Sequence, residues 1–158
     1  MIRELMVNVA KNIPAIYTAK TAMVTGMGVQ IDLSKKQLIL PAEETAENIY
    51  FVEKERVPEG IYAGVANLSD YFEQFVNVKE GEFAKAIPNY EGEMYGTDQY
   101  DESVVESAVD KYLAVGTDGK WKVASASISS CYKLAGFQAD GVNKIAQIVK
   151  LADAGQNS

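Results

Sequence analysis

Histidine is absent from this 158-residue chain, cysteine occurs once and proline four times. Lack of histidine removes the usual general base at neutral pH and the commonest metal ligand. A single cysteine, Cys131, excludes an internal disulfide and any multi-cysteine zinc site. It lies in the mixed run Ser129-Ser130-Cys131-Tyr132, and as a nucleophile it would need a base beside it; a packed thiol is the ordinary reading. Positive charge is also short, with 15 Lys and Arg against 22 Asp and Glu and a net charge of −7. The basic groups Lys35-Lys36 and Lys54/Arg56 sit among carboxylates, so no basic face is in sight for neutralising phosphates, and nucleic acid is not an expected partner. No segment reaches the ~18 apolar residues of a membrane span. Within the first twenty residues Glu4, Asn8, Lys11 and Asn12 interrupt any signal-peptide core, so synthesis in the cytoplasm and no membrane partner are expected. Gly26-Met27-Gly28 has neither a third glycine nor a following helix, which removes a dinucleotide loop; a bend or bulge remains. No cofactor, metal or catalytic residue is expected.

What the chain does have is short apolar runs punctuated by turn residues. The clearest is residues 112–126, YLAVGTDGKWKVASA, where Thr117-Asp118-Gly119-Lys120 separates two runs. Asp-Gly there predicts a hairpin, because the tight turn needs a positive φ that glycine adopts freely. Further strands are predicted at residues 24–33, bent at the two glycines, and at 37–40, 49–52 and 61–66. Others follow at 75–78, 83–87 and 90–95, and a closing hairpin at 131–137 and 144–151. One short helix fits residues 101–112, with Val104, Val105, Ala108 and Val109 at helical spacing. The fold class is therefore all-β: a small barrel or β-tulip-like sandwich with at most one short helix.

Residues 1–20 read differently, as an N-terminal arm before a β-rich domain at 21–152 and a frayed tail at 153–158. A short helix and an extended segment suit the arm equally, since Pro14 prevents a helix running through. Its apolar residues Ile2, Leu5, Met6, Val7 and Val9 need covering by the domain or by another subunit. A protein interface is expected on these residues together with Tyr71, Phe72 and Phe75, the barrel folding without the arm. The wider aromatic set, with Tyr90, Tyr95 and Tyr100, is either core or a contact surface for protein or sugar. The carboxylates Glu91, Glu93, Asp98, Asp101 and Glu102 match no cation loop or catalytic motif and read as a solvated acidic stretch.

The order of motifs carries a resemblance. Val24-Thr25-Gly26-Met27-Gly28-Val29 leads to Leu40-Pro41, then to Tyr50-Phe51-Val52 and Pro58-Glu59-Gly60. Phe75-Val76-Asn77-Val78 with Gly81-Glu82 comes next, then Tyr95-Gly96-Thr97-Asp98-Gln99-Tyr100, and last Leu113 to Lys120 with the closing hairpin. Over residues 21–151 this resembles the auxiliary proteins that decorate or cement the capsids of tailed bacteriophages. The resemblance implies a non-enzymatic virion structural protein on the outer capsid surface, bound to the major capsid protein, often as a homotrimer. The alternatives are a β-sandwich carbohydrate- or receptor-binding module, another phage head, neck or tail component, or a small hydrolase working through carboxylates.

Overall fold

A computed structural model describes residues 1–8, 11–55 and 71–158. The strand predicted at 61–66, the Pro58-Glu59-Gly60 turn and Val9 lie outside the described residues. The rest is mainly β, as expected, and is organised as two packed β units.

The first unit is a closed barrel of five short strands: β2 (Tyr17–Ala19), β4 (Gly28–Asp32), β5 (Gln37–Ile39), β6 (Tyr50–Lys54) and β8 (Phe83–Pro88), in the order β2-β5-β4-β6-β8. Ala19, Val29, Leu38, Val52, Ala84 and Ala86 fill its interior. Small side chains on β8 leave room for the branched ones opposite. Beside it, β3 (Met23–Val24) pairs with β7 (Asn77–Val78).

A six-stranded sheet forms the second unit. It contains β1 (Ile2–Met6), β9 (Met94–Thr97), β10 (Tyr112–Val115), β11 (Trp121–Val123) and the long hairpin β12 (Ser130–Asp140) with β13 (Asn143–Gly155), in the order β1-β9-β13-β12-β10-β11. Between the units lies an aromatic core. The Phe51 ring is 4.9 Å from Trp121 and 5.2 Å from Tyr95, and Trp121 meets Tyr132 edge-on at 5.1 Å. Backbone bonds also cross the seam: the Gly28 amide donates to the Gly119 carbonyl at 2.8 Å, and Thr45 exchanges two bonds with Val115.

The predicted hairpin at 112–126 is β10–β11. Gly119 has φ +79, and a Cβ there would stand 2.8 Å from Leu40 and 3.2 Å from the Met27 sulfur. Gly119→Val should therefore lower the melting temperature far more than Lys120→Val, at a cost of about 2–4 kcal/mol from strain and overpacking combined. Equal melting curves for the two variants would remove this role.

Several expectations are corrected. Residues 1–6 lie against the six-stranded sheet. β1 pairs antiparallel with β9 from Ile2↔Thr97 to Met6↔Met94, and Met1 and Ile2 are buried. An extended segment beginning at a buried residue gains more from an existing strand edge than from solvent. No α-helix forms over 101–112, where a single 3-10 turn, Glu106–Ala108, precedes β10. Asp101 accepts bonds from the Ser103 amide (2.8 Å) and hydroxyl, closing a local turn ahead of the 3-10 turn. The strand predicted at 75–78 is half helix: α1 (Glu73–Val76) runs straight into β7. Residues 24–33 are two strands, because a turn at Val24–Met27 separates β3 from β4. The tail is tied down, since β13 reaches Gly155 and the Asn157 carboxamide bonds Tyr112 N, Tyr112 O and Ala124 O at 2.8–2.9 Å.

Candidate functional site

Two depressions adjoin on the surface and share Asn48 and Tyr50. The first is the mouth of the barrel, about 490 Å³, and it follows from strand alternation. Tyr17, Ile31 and Tyr50 keep the inward parity of Ala19, Val29 and Val52, so they continue the core stripe to the open end. Leu33 is next in that stripe and is 75% exposed; Ile16, beside Tyr17, is 53% exposed. The mouth is thus lined by Tyr17, Ile31, Leu33 and Tyr50 together with the polar Gln30 and Asn48, and Leu33 is the side chain that the barrel leaves most uncovered.

The second depression is a cleft of about 500 Å³ in the seam between barrel and sheet. Residues 46–50 and 88–90 form its barrel side; Ser129, Cys131, Tyr132, Lys150 and Ala154 of the hairpin form the other. The Tyr132 hydroxyl crosses the seam to donate to the Ile49 carbonyl at 3.1 Å, and burial pushes its pKa up. Asn89 belongs to the lining and is 2% exposed. Neither its Nδ2 nor its Oδ1 has a hydrogen-bond partner among the described residues.

The position of Asn89 is set from both sides. Pro88 pairs with Tyr50 in the barrel ladder, and its carbonyl accepts from the Lys11 ammonium at 2.9 Å. On the other side, the Tyr90 amide donates to the Glu93 carboxylate at 2.8 Å. Lys11 also ion-pairs with Glu93 and donates to the Tyr95 hydroxyl at 2.7 Å, and it lies over the Tyr90 and Tyr95 rings. Glu93 is fully buried and Lys11 nearly so. Burial pushes the Glu93 carboxyl up, but bonds from Lys11 and from the Tyr90 and Asn8 amides outweigh it and hold the group below the ordinary carboxylate value of 4.5. Burial likewise opposes the Lys11 charge, and the bonds to Glu93 and Tyr95 raise it above 10.5 in spite of that.

The sequence-predicted interface residues are dispersed. Ile2 is in the core, Val7 packs against it, Leu5 is half-buried and Met6 is half-exposed. Tyr71 donates to Asp140 at 2.8 Å, Phe72 is exposed and Phe75 is half-buried. The tyrosines do not build one platform: Tyr95 is core, Tyr100 packs edge-on against Phe137, and Tyr90 stands exposed at the seam. Nor do the acidic residues form a site. Glu93 holds Lys11, Asp98 pairs with the Met1 ammonium, and Asp101 caps a turn. Asn89 was legible only as a chain breaker after proline. Its meaning depends on Tyr132 and Lys150, more than forty residues away in sequence.

No family model, no curated protein and no solved structure matches the chain.

Proposed function

We propose that this chain is a non-enzymatic virion structural protein that binds the outer surface of a phage capsid and stabilises it. The observation that carries the reading is the barrel mouth, where Leu33 stands 75% exposed beside Tyr17 and Ile31. Surfaces of this kind mark contact sites on soluble proteins. The order of motifs, which resembles capsid-decorating proteins, supplies the identity of the partner as the major capsid protein, with the chain assembled as a homotrimer.

The test is mass spectrometry with copy counting on virions of the encoding phage. Hundreds of copies per particle are expected for decoration; about a dozen or fewer would mean neck, fibre or tail, and none would end the proposal. Leu33→Asp changes an exposed side chain and should leave folding within about 0.5 kcal/mol of the parent. Its binding to stripped capsids should fall at least tenfold, as about 1.4 kcal/mol of lost apolar contact would give. Binding equal to the parent's would show that the mouth is not the contact.

A further inference from the structure

We propose that the seam cleft is a saccharide-binding site in which the Asn89 carboxamide takes a pair of neighbouring sugar hydroxyls while the Tyr90 ring stacks on the sugar. The proposal goes beyond the capsid reading and stands on different residues.

An amide buried without a partner is costly, and native proteins keep few of them. Asn89 leaves both ends of its carboxamide unpartnered among the described residues, at the floor of a cleft and not inside a sealed core. A carboxamide presents a donor and an acceptor side by side in one plane. Adjacent sugar hydroxyls match that pair, since each can donate and accept. The Tyr90 ring, 54% exposed at the cleft edge, offers the apolar surface that the C–H face of a sugar needs. Glu47 and Lys150 both line the cleft, so opposite charges balance there and a neutral ligand is favoured.

The volume, about 500 Å³, lies within the range of small-ligand pockets and suits a mono- or disaccharide. An extended peptide is the natural competitor for a groove between β units. It would need a free strand edge, yet β6, β8 and β13 already have partners on both sides. Because the carboxamide is closed to solvent, its two bonds to the ligand form when side chains of the cleft lining shift.

The experiment is an amide-resolved NMR titration of the full chain with the methyl glycosides of glucose, galactose and mannose, with N-acetylglucosamine and with lactose. Each is taken to about 50 mM, where millimolar binding registers. With at least one sugar, saturable shifts are expected at the Asn89 side-chain amide and at the backbone of residues 48–50, 90, 131–132 and 150. Tyr90→Ala removes an exposed ring and should weaken that binding about tenfold, with changes in the free spectrum confined to the surroundings of Lys11 and Glu93. Asn89→Ala should abolish it; if that variant fails to fold, Tyr90→Ala carries the test alone. Absence of saturable shifts with every sugar, shifts elsewhere on the surface, or affinity unchanged by Tyr90→Ala would each overturn the proposal. Capsid binding is read out through Leu33→Asp, so either proposal can fail without the other.

Discussion

Lys11→Met should destabilise the fold by about 3–5 kcal/mol, because it strands the carboxylate of Glu93 in a fully buried position. Amides of Tyr90 and Asn8 would still donate to that carboxylate, but the only cation paired with it among the described residues would be gone. Urea unfolding is the measurement, with the midpoint falling at unchanged slope. Adding Glu93→Gln to Lys11→Met should recover a large part of the loss, since a neutral amide can keep an acceptor for Tyr90 without an unpaired charge. A Lys11→Met protein as stable as the parent would show that the pair is neutral to stability. The same pair sets a pH dependence. The Glu93 carboxyl is held below 4.5, so its contribution is complete above that pH and is lost as pH falls through the folded-state value. Lys11 is raised above 10.5, so its contribution is complete below that pH and is lost as pH rises through the raised value. Because Lys11 and β1 both belong to the domain's own packing, removing residues 1–12 should unfold the chain instead of freeing an intact barrel.

Gly26→Val is expected to be about as damaging, costing roughly 3–5 kcal/mol from left-handed strain and overpacking together. Gly26 has φ +99, and a Cβ there would overlap the Met1 carbonyl oxygen and the Thr97 hydroxyl. Its own backbone is a junction between the units. The amide donates to the Val52 carbonyl at 2.8 Å in the barrel. The carbonyl accepts from the Thr97 hydroxyl at 3.0 Å and the Trp121 indole at 3.3 Å in the sheet. Gly81→Ala is the control, because Gly81 shares a positive φ (+78) but has nothing within 4 Å of a Cβ. It should cost only about 1–2 kcal/mol of backbone strain. Calorimetry on the two variants separates the effects: similar melting temperatures would mean that the close approach to Met1 and Thr97 relaxes without penalty.

Sequence alone determined the β class, the hairpins at 112–126 and 131–151, and the strands at 37–40, 49–52 and 83–87. Those features rest on local physics: period-two alternation, β-branched and aromatic runs, and a turn residue that adopts positive φ. The parts that were not legible depend on contacts across long stretches of chain. β1 is a strand because β9, some ninety residues later, offers its edge; nothing in Met1 to Leu5 records that. The stretch 101–112 holds turns and one 3-10 turn instead of an α-helix, which the apolar spacing of Val104 and Ala108 does not report. Glu93 looks like one more surface carboxylate until Lys11 is folded onto it, and Asn157 looks like a loose end until it reaches Tyr112. The seam cleft is the extreme case. Tyr50, Asn89 and Tyr132 come from three separate runs, and packing of barrel against sheet is what puts them around one volume. Alternation assigns each side chain to one of two faces of its own strand, whereas tertiary packing decides which face meets which, and therefore where a partnerless amide ends up.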